Sequence, residues 1–132
     1  MIAVDTSAVV AIVADESDAR ILSEALAAAD ERVISAGSVL ELTMIGARIA
    51  ADAIALVEDA LTQLRIVVEP FDGEQLRIAQ RAFVTYGKGR HPAALNFGDC
   101  FAYALAKSRR IPLLYKGDDF ARTDVRRAPQ SR

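Results

Sequence analysis

Asp5, Glu41, Asp99 and the adjacent pair Asp118-Asp119 are the residues of this chain best suited to chemistry. Three of them stand against apolar sequence. Asp5 lies between Ile2-Ala3-Val4 and Ala8-Val9-Val10, Glu41 between Leu40 and Leu42, and Asp99 before Cys100-Phe101-Ala102. A carboxylate beside buried sequence is costly unless it finds a partner, and few basic residues lie near these in sequence. Carboxylates that meet without enough Lys or Arg repel one another, and a divalent cation removes that repulsion. An all-oxygen donor set suits Mg²⁺, with Mn²⁺ as a substitute, better than zinc. Such a site supports phosphodiester hydrolysis, in which the metal activates water and steadies the leaving oxygen. Each acid also has a plain structural use. Asp5 could cap a helix. Ser38-Val39-Leu40-Glu41 matches a capping box, Asn96-Phe97-Gly98-Asp99 has the same shape, and Asp118-Asp119 could be a polar turn.

The elements that must position these acids read as an alternation of short strands and helices. Ile2-Ala3-Val4, Arg32-Val33-Ile34, Ile66-Val67-Val68 and Pro112-Leu113-Leu114-Tyr115 are strands by their short apolar, β-branched runs. Helices are expected over 7–14, 17–29, from Ser35–Ser38 to about Ile49, over 51–65, from the Asp72 cap to Tyr86, and over 97–109. Gly87 to Pro92 is the clearest loop, and Val125 could belong to a short last strand. Strands separated by helices indicate one α/β domain over residues 1–125, a short central parallel sheet with helices on both faces. A flexible basic tail, 126–132, follows. In such sheets ligands bind beyond the carboxyl ends of the strands. Topology therefore gathers Asp5, Glu41 and the Asp118-Asp119 pair at one edge, whereas the convergence of Asp99 with them does not follow from topology alone.

The bulk numbers exclude several classes. The chain of 132 residues has one cysteine, Cys100, which rules out an internal disulfide framework and a multi-thiolate zinc site. Its single histidine, His91, excludes a histidine-pair ribonuclease mechanism, and the absence of Trp argues against broad base-stacking platforms. The N-terminal apolar run lacks a basic flank and is interrupted by Asp5, so a signal peptide or membrane span is not expected. A cytoplasmic location fits. The net charge of −2 hides an asymmetry: from Tyr86 onward ten Lys/Arg face four Asp/Glu, whereas before it six face fourteen. The basic C-terminal third could attract a polyanion.

These residues carry a family resemblance. Ile2-Ala3-Val4-Asp5-Thr6-Ser7-Ala8 resembles the opening of PIN domains of the VapC toxin type, and the Ser38–Glu41 helix start resembles their second acidic position. The segment from Tyr86 to Cys100, with its Asn-Phe-Gly-Asp-Cys block, is the most specific, and Leu113–Phe120 with Thr123-Asp124 is similar to the C-terminal end of the same subgroup. The resemblance implies a PIN-like fold, Mg²⁺-dependent endoribonuclease activity, a VapB-type antitoxin partner and a homodimer. Carried over by position, Asp5, Glu41 and Asp99 would hold the metal, with Asp118 favoured slightly over Asp119 as the fourth acid.

Lys88 and Arg90 in the Gly-rich loop, and Lys116 after the fourth strand, are candidates for contact with RNA phosphates. Thr6 and Ser7 fit N-capping better than metal or phosphate contact. The helical stretch with Ala47, Ile54, Val57 and Leu61 reads as core that could also offer an antitoxin groove. Two other functions are compatible with the composition. One is a catalytically inert PIN-like module that only binds RNA or protein. The other is a phosphoacceptor receiver domain, which the Val67-Val68-Glu69-Pro70 end of the third strand disfavours because it supplies no Asp.

Overall fold

The computed structural model describes residues 1–130. Four strands, β1 (Ile2–Val4), β2 (Arg32–Ser35), β3 (Val67–Glu69) and β4 (Leu113–Leu114), form one sheet in the order β3-β2-β1-β4. Every pairing is parallel, with Ala3 opposite Val33 and Leu113, and Ile34 opposite Val68. The helices are α1 (Thr6–Val13), α2 (Ala19–Ala27), α3 (Ala36–Gly46), α4 (Ala53–Gln63), α5 (Gly73–Tyr86) and α6 (Phe97–Arg109). A short 3-10 turn, Phe120–Arg122, follows β4.

Successive side chains of a strand point to opposite faces, and this divides the core in two. Ile2, Val4, Ile34 and Leu114 face one cluster with Val9, Leu22, Leu26, Val57 and Leu61 of the first four helices. Ala3, Val33 and Leu113 face the other, with Ala79 and Ala82 of α5 and Ala102, Leu105 and Ala106 of α6. Small residues at Ala102, Ala104 and Ala106, all essentially inaccessible, let α6 lie close against the sheet.

The expected layers are present, and the differences have local causes. Val67 and Val68 on the edge strand β3 are exposed and not sandwiched, whereas Leu113 and Leu114 on the opposite edge, β4, are fully buried. The Ser38–Glu41 capping box does not form. The helix starts earlier, because Ser35 ends β2 in an extended conformation and its hydroxyl accepts from the Gly37 N–H. In place of a last strand at Val125 there is a single bridge between Leu113 and Arg127. The tail expected to be loose from Arg126 is docked as far as Ala128. The Leu113 N–H donates to the Arg126 carbonyl (2.8 Å), the Ala128 N–H donates to the Leu113 carbonyl (2.9 Å), and Ala128 is buried. The Arg127 guanidinium lies over the Tyr115 ring, 4.4 Å from its centroid. The end of the expected tail, Ser131 and Arg132, lies outside the described residues.

Candidate active site

Asp5 follows β1 directly and caps α1 from an extended conformation. Its Oδ2 accepts from both the Ser7 N–H (3.0 Å) and the Ser7 hydroxyl (2.6 Å). The residue is buried, and that burial pushes its carboxyl up to about 6, with a further upward push from the charge of Glu41 and an opposing pull from Ser7. Asp99 sits in the first turn of α6 and forms a complete capping box with Asn96. The Asn96 N–H donates to Asp99 Oδ2 (3.0 Å) and the Asp99 N–H to Asn96 Oδ1 (2.9 Å). Burial raises the Asp99 carboxyl to about 7, the Asn96 bond opposes this, and the charges of Asp5, Asp119 and Glu41 add to the rise.

Glu41 projects from the second turn of α3, beyond the helix start its sequence suggested. Its carboxylate rests on Gly98, where an added Cβ would overlap it. That contact brings the α3 acid to the N-terminus of α6, beside Asp99, and supplies the convergence that topology left open. Asp5, Glu41 and Asp119 thus lie within electrostatic reach of Asp99, and Glu41 within reach of Asp5. The charge of Asp118 bears on the Tyr115 phenol, whereas Asp119 is among the largest acidic influences on Asp99.

Among the described residues, no Lys or Arg forms an ion pair with Asp5, Glu41, Asp99 or Asp119. Lys116 is engaged by Glu16 and Asp18, and Arg122 donates to the Pro92 carbonyl (3.1 Å). Lys88 and Arg90 are exposed on the loop before α6, and Arg90 leans over the Phe83 ring. His91 Nδ1 accepts from the Ala93 N–H (3.0 Å) and its ring sits edge-on to Tyr86, which is a loop-holding role. Among the described residues, no three His, Cys, Asp or Glu side chains are grouped tightly enough to hold a metal ion as they stand. The donor set is nevertheless all-oxygen, short of positive partners, and includes two carboxyls that burial and mutual repulsion keep high. That chemistry fits a hard divalent cation.

The shifts carry a stability consequence. Because both carboxyls sit above their ordinary value of 3.8 in the folded chain, the folded state binds more protons than the unfolded one between pH about 4 and about 7. Stability from these groups is therefore highest at the acidic end and falls as pH rises through that window. With divalent ions chelated, the melting temperature is expected to be higher at pH 5 than at pH 8, and Mn²⁺ is expected to raise it more at pH 8. A calorimetric scan showing equal melting at both pH values, with no gain from Mn²⁺, would contradict this picture of the site.

Comparison with known proteins agrees with the fold and places the sequence. Residues 2–126 match the family described as PIN domain. The chain belongs to the PIN-domain family. Within it, Ribonuclease VapC28 of Mycobacterium tuberculosis is 46% identical over 127 residues, covering 95% of this chain and 96% of that protein. Ribonuclease VapC of Mycolicibacterium smegmatis is 43% identical over 123 residues, covering 92% and 95%. The structure of VapC20 from Mycobacterium tuberculosis, described as a sarcin-ricin loop cleaving toxin, has the same fold, with a TM-score of 0.75 at 18% identity over 99% of this chain and 100% of that one. VapBC2 from Rickettsia felis, solved bound to a promoter DNA fragment, gives 0.73 at 15% identity over 99% and 100%.

Two features of this PIN-domain site escaped the sequence reading. Ser7 is neither a cap nor a ligand candidate in its own right but a double donor to Asp5. Gly98 is the seat of Glu41, and its only signal was its place inside the Asn-Phe-Gly-Asp block.

Proposed function

We propose that this chain is an endoribonuclease toxin of the VapC type, hydrolysing RNA phosphodiester bonds at the edge that carries Asp5, Glu41, Asp99 and Asp119. The observation that carries this reading is that the charges of Asp5, Asp119 and Glu41 all bear on Asp99, with none of these acids ion-paired to a cation among the described residues, in a chain nearly half identical over its length to proteins named as VapC ribonucleases. PIN nucleases generally use divalent metal ions, and Mg²⁺ is the ion this all-oxygen set fits best, with Mn²⁺ as a substitute. When bound, it would supply an activated water and charge relief for the leaving oxygen. The chain's own part is to hold the ligands. Both Ser7 bonds go to Asp5 Oδ2, which leaves Oδ1 for the ion, and the Asn96 box fixes Asp99 on α6. Lys88 and Arg90, exposed on the neighbouring loop, are positioned to meet RNA phosphates.

For the fourth acid we favour Asp119 over Asp118, because its charge acts on Asp99. Asp119→Asn is therefore expected to lower kcat by about tenfold or more, whereas Asp118→Asn stays within about threefold. The experiment for the function is cleavage of total RNA by purified protein with Mg²⁺. Cleavage that persists undiminished in chelator, or in the Asp119 variant and wild type alike, would sink the metal site as drawn.

A VapB-type antitoxin is the expected partner. The apolar groove between α1, α3 and α4, lined by Val10, Val13, Ile45, Ile49 and Leu56, suits the apolar face of its helix. Leu76, Phe83, Val84 and Phe97 form a second exposed apolar face on α5 and α6, rich in aromatic rings and suited to a self-complementary homodimer contact. A cytoplasmic setting fits an RNA substrate, and among the described residues no helix is long and apolar enough to cross a membrane.

A further inference from the structure

Lys116 looks like a phosphate ligand in the sequence, and the structure gives its ammonium different work. It pairs with Glu16 in a short contact and with Asp18 Oδ1 at 3.5 Å. Both acids belong to the connection between α1 and α2. Asp18 stands at the N-cap position of α2 yet makes no capping bond with its side chain. Its carboxylate is turned to Lys116 instead. A phosphate arriving here would have to displace two carboxylates that already outnumber the ammonium's charge.

The backbone of the same residue reaches the site. The Lys116 N–H donates to Ser7 Oγ (3.0 Å). A hydroxyl has one proton and this one must accept from Lys116, so its own proton is committed to Asp5 Oδ2, 2.6 Å away. On its other side, Lys116 leads through Gly117, at φ +92°, into the turn that carries Asp119. Lys116 therefore stands between the bond that orients Asp5 and the turn that delivers the fourth acid. A residue in that position sets both if it is held still, and the Glu16–Asp18 grip holds it.

We propose that Lys116 is a positioning residue: clamped by Glu16 and Asp18, it fixes the Lys116–Ser7–Asp5 chain and the Asp119 turn, and it does not bind RNA phosphate. The kinetic part of this inference rests on the nuclease reading, and the structural part does not.

The test uses the full chain, with Lys116→Met and the double variant Glu16→Gln/Asp18→Asn. Four readouts are taken: exchange of the Lys116 amide by NMR, Mn²⁺ affinity by calorimetry, kcat, and KM for RNA. Both variants are expected to exchange the amide faster by about fivefold or more, because the clamp no longer opposes local opening. Mn²⁺ should bind more weakly and kcat should fall, each by about tenfold, as for loss of an outer-shell partner, with KM within about twofold. Lys116→Arg should restore most of kcat. Lys116→Met combined with Ser7→Ala should cost less than the two separately, since both act through one bond. The proposal is overturned if Lys116→Met raises KM while the double acid variant lowers it, which marks a phosphate ligand freed from its acids. Unchanged amide exchange in both variants overturns it as well. If the wild type cuts no RNA, the nuclease reading falls, and the exchange and Mn²⁺ readouts still decide the clamp.

Discussion

Asp99→Asn is expected to lower RNA cleavage on the order of a thousandfold and, in chelator at pH 8, to raise the melting temperature. The two effects have one cause. The carboxyl is held up to about 7 by burial and by three acidic neighbours, so keeping it ionised costs the fold a few kcal/mol. Asparagine removes the charge and keeps the acceptor that receives the Asn96 N–H, so the capping box survives. The lost favourable interaction with the helix N-terminus is worth only about 0.3–1 kcal/mol, and relief of the repulsion outweighs it. A gain of roughly 5 °C is the expected scale for a chain of this size. Cleavage assays with Mg²⁺ and calorimetry without it check the pair of effects. An Asn variant that cuts RNA normally removes Asp99 from the machinery. One that is inactive and less stable makes it a structural acid whose loss damages α6.

Gly98→Ala is expected to be the second most damaging single change, although it adds only a methyl group. The new Cβ would occupy the space of the Glu41 carboxylate. Either that side chain is driven from the site or α3 and α6 move apart. Displacement of a ligand by about an ångström is enough to cost roughly a hundredfold in rate, and overpacking of a buried position costs about 1–3 kcal/mol. Adding Glu41→Ala discriminates between the routes. If the clash is with the carboxylate, the double variant recovers the stability that Gly98→Ala loses while remaining inactive. If stability is not recovered, the backbone of α6 is what the methyl disturbs.

These two neighbours also mark the limit of what the sequence disclosed. Asp5 was legible because a carboxylate wedged between a strand and an apolar helix has few uses. The Asn96–Asp99 box was legible because its spacing dictates its bonds. The same pattern at Ser38–Glu41 misled, because Ser35 already capped the helix and moved Glu41 one turn inward. A local motif cannot reveal that a better cap lies three residues upstream at the end of a strand. The contact of Glu41 with Gly98 joins helices 57 residues apart and depends on how closely α6 lies on the sheet. That closeness is set by the absence of side-chain bulk at Ala102, Ala104 and Ala106, which no motif expresses. The exposed edge at β3 was missed for a related reason. Val67-Val68 has the composition of a buried strand, and composition does not show that it takes the uncovered edge while Leu113-Leu114 take the edge sealed by Arg126 and Ala128.

The sheet order also bears on when the surroundings of Asp5 can assemble. β1, made first, sits between β2 and β4, and its second neighbour comes from residues 113–114 with Arg126 and Ala128 sealing the far edge. Asp5 therefore has its surroundings held only once the Leu114 carbonyl accepts from its N–H and the Lys116 amide reaches Ser7. The carboxylate nearest the start of the chain thus acquires its final setting only through contacts made more than a hundred residues later.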